Sequence, residues 1–300
     1  MKSTLKILIR ILCMLVLAAG IFRICPVEAL TKEKPSPDGQ QTATDVYINP
    51  EYADILSEAD FLPEIQGLIP SEYEIQSVSD DGTITSADQA LELVRDIMTG
   101  RIETGSINVD IPKSQIPEVA ESRYLFRWLV RQTVAHNGVP DQGDYLMYQY
   151  GGFTASYSWY PDTENYRGTI RYQIKYYTDL EQEKTVTAWI NEVMPSLNLE
   201  GLHDIEKIRR IYKYICSHFE YDYDNLYNSN DYLKYTAYGG ITRGKMVCQG
   251  YSNLLYRMLL EAGIDSRIVS GMAGSSGNER HAWNIIELMD KLTQRKGLEQ

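Results

Sequence analysis

Gly244-Lys245-Met246-Val247-Cys248-Gln249-Gly250-Tyr251 leads into an apolar stretch, Ser252–Ala262, and then Gly263. Leu254, Leu255, Met258, Leu259 and Ala262 recur at helical spacing, and Gly263 suits the residue after a helix cap. The spacing therefore predicts a helix that starts at or just after Cys248. A thiol at a helix N-terminus faces the positive end of the dipole, which favours thiolate. The free N–H groups there can also receive an oxyanion. Gly244 and Gly250 flank the thiol and allow close approach of backbone and ligand. Further on, Ser266–Ser270 reads as a strand, Gly271–Gly277 as a turning loop, and Arg280–Leu288 as the antiparallel return strand, which would carry His281 over the thiol. A lone Cys is ordinarily inert core and a lone His a satisfied structural residue. Together, in this order, they form the pattern of an activated nucleophile for acyl transfer.

Cys248-Gln249-Gly250-Tyr251 opening a helix, then Ala262-Gly263-Ile264, then His281-Ala282-Trp283-Asn284, with Tyr221-Asp222 upstream, resembles the transglutaminase-like superfamily of secreted bacterial type, over about residues 205–288. The resemblance implies an α+β fold with a papain-like core: a nucleophile at a helix N-terminus packed on an antiparallel sheet. It implies a Cys-His-Asp triad working on peptide or protein amides as peptidase, amidase or transglutaminase. Cys248 would form the thioester and His281 would act as base and then acid, with Gln249, Tyr251, Trp283, Tyr221 and Asp222 lining the cleft. Family members place the triad Asp on the strand after the His strand. Only 19 residues follow His281 here, and Asp290 is the only Asp among them. Asp290 and Asn284 are the substitutes at hand, and Asn284, three positions on, faces the other side of a regular strand. The pattern thus predicts either an enzyme whose domain is incomplete at its C-terminal end or a catalytically inactive surface binding module of the same fold. A third reading is a surface adhesin that uses the tyrosine-rich residues upstream.

The outer regions set the context. Lys2 and Lys6, the apolar run Ile11–Phe22 and Val27-Glu28-Ala29 have the form of a secretory signal peptide over 1–29, with an uncleaved membrane anchor as the alternative. An extracellular or cell-envelope location follows. Residues 30–45 are polar and hold two prolines, and are expected to be a disordered linker. Residues 46–200 are expected to form a mixed α/β, Tyr-rich domain of unknown role, and 201–300 the transglutaminase-like domain, with the break near Leu199–His203. In the first, Ser86-Ala87-Asp88-Gln89 opens a helix by a capping box and Gly100 closes it. A second helix is expected over Pro117–His136, a hairpin over Tyr145–Tyr160 turning at Gly151-Gly152, and a strand over Thr169–Tyr176. Helices are expected at Asp179–Leu199 and Asp204–Phe219. Nine of the 23 tyrosines lie between Tyr145 and Tyr177, a density expected from strand packing.

Without residues 1–29 the chain holds 25 Lys and Arg against 40 Asp and Glu, a net charge of −15. That argues against nucleic acid and anionic membrane surfaces as partners. The expected partner is a protein or peptide substrate, cell-wall peptide included, with membrane contact only through an uncleaved anchor. Gly239–Met246 nearly matches a nucleotide P-loop, but Met246 stands where Ser or Thr would hold magnesium, so no nucleotide is expected and Lys245 is read as a solvated charge. The four histidines form no metal-binding spacing, so neither metal nor cofactor is expected. Cys216 is expected to be a buried free thiol, with a Cys216–Cys248 disulfide as the alternative.

Overall fold

The structure, a computed structural model, describes residues 39–49, 82–273 and 279–288. The predicted signal peptide and Asp290 lie outside the described residues. The chain divides into two compact units. One contains the described residues up to Ala135 together with Leu146–Leu180. The other contains His136–Tyr145 and the described residues from Glu181 onward.

The first unit is a four-stranded antiparallel sheet with helices packed on one face. Its strands are β1 (Gln41–Ile48), β2 (Thr104–Pro112), β3 (Tyr150–Trp159) and β4 (Asn165–Tyr176), in spatial order β1-β3-β4-β2. Strand β4 shows the predicted alternation, with Ile170, Tyr172 and Ile174 all buried. Two helices, α1 (Ala87–Thr99) and α2 (Leu125–Thr133), bring Val94, Ile97, Phe126 and Leu129 into the same core. Phe126 meets Phe153 edge-on at 5.1 Å and stacks on Tyr172 at 5.2 Å. The tyrosines here are packing residues.

Several local expectations change. Residues 41–45 are strand, not linker: Asp45 is buried and holds the Arg127 guanidinium, so a polar composition conceals an inward-facing row. The helix expected over Pro117–His136 shrinks to α2, because the Tyr166 hydroxyl donates to the Val119 carbonyl at 2.7 Å and removes it from helical bonding. The Gly151-Gly152 pair makes no hairpin turn. It lies inside β3, where the register shifts between Tyr150 and Gly152, and Asp144–Met147 forms one helical turn. Half of the expected box forms at α1: Ser86 accepts the Gln89 amide, while the Gln89 side chain accepts the amide of Thr85, one residue ahead of the cap. Its end differs: Gly100 stays right-handed, and Arg101 takes the left-handed position at φ 53°.

The second unit is mixed α/β. Its helices are α3 (Leu180–Ser196), α4 (Asp204–His218), α5 (Ala237–Arg243) and α6 (Cys248–Glu261). A short parallel pair joins β5 (Glu220–Tyr221) to β6 (Lys245–Met246), and an antiparallel pair joins β7 (Ser266–Ala273) to β8 (Glu279–Ile286). Val186 and Ile190 of α3 share one core with Ile208, Ile211 and Ile215 of α4 and Leu254, Met258 and Leu259 of α6. That shared core is why the units divide near Leu180, ahead of the expected break at Leu199–His203. Helix α6 begins at Cys248, as its spacing predicts. At its other end Gly263, at φ 74°, and Ile264 return amides to the carbonyls of Leu260 and Leu259, a Schellman closure. Among the described residues no helix is long and apolar enough to cross a membrane.

Candidate active site

Cys248 is the first residue of α6, with Val247 as its cap. The Val247 amide donates to the Lys234 carbonyl at 3.0 Å, which fixes the entry of the helix. The thiol is met by the Tyr221 hydroxyl and by the amides of Ala282 and Gln249. Tyr221 in turn accepts the Cys248 amide. The helix-end amides do pull the thiol pKa down, as expected, but the net shift runs the other way. Burial pushes the Cys248 thiol up, and the Ala282 amide, the Tyr221 hydroxyl and the helix-end amides offset only part of that rise.

Strand β8 meets this thiol through the Ala282 amide and carries His281 one residue before it. Ala282, Asn284 and Ile286 form the row facing α6: Ala282 and Ile286 are buried, and the Asn284 side chain donates to the Ser252 carbonyl at 3.1 Å. His281, Trp283 and Ile285 form the alternate row, so the imidazole stands one peptide from the amide that touches the sulfur. Among the described residues Cys248 and His281 make no direct hydrogen bond, a common state for a site without substrate. His281 is half-buried and stacks on Trp283 with ring centroids 6.1 Å apart. Burial lowers its pKa, and the Glu279 carboxylate works against that shift. Asn284 is fastened to α6 and takes no part in orienting the imidazole.

The other predicted cleft residues divide by role. Tyr251 donates its hydroxyl to the Phe219 carbonyl at 2.8 Å and stacks behind Tyr221, so it supports the site from below. Gln249 is buried and presents its amide to the thiol. Asp222 is buried. Burial pushes its carboxyl up, but the Asn225 side chain and amide and the Lys245 ammonium outweigh this and hold it below the usual carboxylate range. Lys245 is therefore a paired charge, 2.9 Å from Asp224 and 3.4 Å from Asp222. Trp283 is partly exposed beside His281.

Three features escaped sequence reasoning. The Ala282 amide has no sequence signature. Tyr223, highly exposed with its ring 4.8 Å from Tyr221, could have been read from the i, i+2 pair in Tyr221-Asp222-Tyr223. Lys234 is buried and donates to the carbonyls of Asn225, Leu226 and Asn228 at 2.6, 3.1 and 2.7 Å, which ties down the loop after Tyr221. The P-loop likeness has a packing origin. Gly239 and Gly240 lie within α5, and a Cβ on Gly240 would sit 2.3 Å from the Met246 sulfur. Gly250 likewise lets α6 close on Met246, where a Cβ would meet the Met246 Cβ at 2.8 Å. Neither Cys216 nor Cys248 is in a disulfide among the described residues. Cys216 is exposed, not buried as expected, because the buried row of α4 runs through Ile208, Ile211 and Ile215. Among the described residues no group of three His, Cys, Asp or Glu could hold a metal ion.

A thiol at a helix N-terminus, facing a His-bearing strand of an antiparallel pair, is an arrangement suited to acyl transfer. Residues 191–291 match the family model described as the transglutaminase-like superfamily, so the chain carries a transglutaminase-like domain there. Over 113 residues it is 31% identical to mouse kyphoscoliosis peptidase, a match covering 35% of this chain and 17% of that protein. The human kyphoscoliosis peptidase is 29% identical over 113 residues, with the same coverage. The match thus spans less than a fifth of these relatives' length. A solved structure described as a TGase is similar at a TM-score of 0.31 and 15% identity, covering 42% of this chain and 40% of the other.

Proposed function

We propose that the chain is a cysteine enzyme acting on peptide or protein amide bonds, in a papain-like arrangement with Cys248 as nucleophile and His281 as base and acid. The observation that carries this reading is the meeting at the α6 N-terminus of the Cys248 thiol, the Tyr221 hydroxyl and the strand bearing His281. In the proposed reaction His281 takes the Sγ proton as sulfur attacks the amide carbonyl. The Cys248 amide and the Tyr221 hydroxyl receive the oxyanion. His281 then returns the proton to the departing amine, which leaves a thioester on Cys248. Water resolves the thioester as an acid, or a primary amine as a new amide.

Secretion through residues 1–29 and an extracellular or envelope location form part of the same proposal, motivated by the basic start, the 12-residue apolar run and the Val27-Glu28-Ala29 site. The net charge of −15 beyond that segment favours a protein or peptide partner over nucleic acid. The name peptidase carried by the curated relatives supports the hydrolytic arm. A second reading, a non-catalytic binding module, draws on one observation: among the described residues the carboxylate acting on His281 is Glu279 of its own strand.

One assay separates the two readings. Wild type and Cys248→Ala are incubated with glutamine-containing peptides, with and without a primary amine, and scored for ammonia release, amine incorporation and new peptide ends. The enzyme reading expects at least one of these products in the wild type alone. Identical traces for both proteins, with peptide still bound, would establish the binding module.

A further inference from the structure

The family match begins at residue 191, yet the unit carrying Cys248 also contains ten residues from well upstream, His136–Tyr145. This strap is fastened through side chains. The Asp144 carboxylate, nearly buried, accepts Nε and Nη2 of Arg267 at 2.7 and 3.0 Å and the Ile268 amide at 2.8 Å. His136 bonds through Nε2 to Asp265 at 2.8 Å and through Nδ1 to the Tyr256 hydroxyl at 3.1 Å. Tyr145 donates to Glu183 at 2.8 Å and lies beneath the Arg257 guanidinium, 4.9 Å from its ring centroid.

Apart from Glu183 on α3, these partners fall on α6 (Tyr256, Arg257), on the link after it (Asp265) and on β7 (Arg267, Ile268). Helix α6 carries the thiol, and β7 is the strand paired with β8, where Gly271 stands opposite His281. Ile268 stands opposite Asn284, whose side chain reaches the Ser252 carbonyl of α6. The β7–β8 pair is thus held to α6 at two places: by Asn284 one turn from the thiol, and by the strap farther along the helix. Arg267 is about half exposed, so its ion pair adds little stability. A two-pronged guanidinium contact plus a backbone amide on one carboxylate fixes orientation instead.

We propose that Asp144, acting through Arg267 and Ile268, is a positioning residue for the Cys248–His281 pair. It sets the orientation of β7–β8 against α6, and so where the imidazole stands relative to the sulfur. The proposal rests on the catalytic reading above. Its test uses the full chain with Arg267→Met, Asp144→Asn and Asp144→Ala, and reads amide turnover, thermal unfolding and the pH profile of Cys248 alkylation by iodoacetamide. Displacing a reacting group by about 1 Å costs up to about 100-fold. Arg267→Met, at an exposed position, is expected to keep its unfolding temperature and KM while kcat falls about tenfold. Asp144→Ala is expected to lose about 100-fold in kcat. Asp144→Asn, which still accepts the Ile268 amide, is expected to fall between wild type and Ala. In both Arg267→Met and Asp144→Ala the alkylation profile should lose the inflection set by His281. The alkylation arm needs no substrate. Unchanged profiles in Arg267→Met and Asp144→Ala overturn the strap whether or not the wild type turns over, as does a kcat loss that only tracks the unfolded fraction. Altered profiles in a protein without turnover support the strap and overturn the catalytic reading.

Discussion

The two units use aromatic rings in opposite ways. In the sheet unit Tyr150, Phe153, Tyr157 and Tyr172 are buried, and burial pushes the Tyr172 hydroxyl up to about 12. Those rings supply packing area, and their hydroxyls are a cost of using Tyr where Phe would fit. In the other unit Tyr223 and Tyr227 are 75% and 91% exposed and Trp283 is 38% exposed, and two of the three contact rings of the candidate site, Tyr223 that of Tyr221 and Trp283 that of His281. Tyrosine count alone points to the sheet; exposure next to a thiol points to the site. An aromatic ring in water beside a nucleophile is available to a ligand, whereas a ring inside a sheet core already has its partners.

That contrast can be broken by substitution. The largest effect is expected at the thiol: Cys248→Ala should lower turnover by about 10⁴-fold or more with little change in unfolding temperature, as measured by peptide turnover and calorimetry. In the sheet unit the effect moves from chemistry to stability. Phe153→Ala should cost about 3–5 kcal/mol in denaturant unfolding, while the folded fraction keeps its wild-type kcat. Tyr223→Ala should raise KM several-fold, leave kcat within about twofold and leave stability unchanged, because an exposed ring contributes uniform binding at most. A smaller effect is expected in pH dependence. A base must be neutral, and burial lowers the His281 pKa, so the acid limb of kcat/KM should fall below the ordinary histidine value of 6.5. Glu279→Gln removes the charge that opposes this shift and should move the limb lower still. The smallest effect belongs to Tyr157, whose hydroxyl is buried without a hydrogen-bond partner among the described residues. Tyr157→Phe should alter stability by less than about 1 kcal/mol, or raise it.

What could be read from the sequence was local. The start of α6 at Cys248, its closure at Gly263 and the alternation in β4 depend on residues within one or two turns, and each stands where its spacing puts it. Strand β1 was hidden because its buried Asp45 is satisfied by Arg127, 82 positions away, which composition cannot reveal. The thiol environment was misjudged for the same reason. The helix end is local, but the burial that outweighs it is a property of the folded surroundings, which the local spacing does not carry. The strap is the extreme case, since Asp144 and Arg267 are 123 residues apart and each alone is an unremarkable charge.

The central claim is that the Cys248 sulfur forms a covalent acyl intermediate with His281 moving the proton. It is tested most directly by mixing the protein with an activated-ester analogue of a peptide amide, quenching in acid within seconds and mapping adducts by mass spectrometry. The account predicts one acyl group on the Cys248 peptide in wild type, none on Cys216, none in Cys248→Ala, and accumulation slowed at least about 100-fold in His281→Ala. Acylation of Cys216 and Cys248 at equal rates, with no effect of His281→Ala, would contradict it.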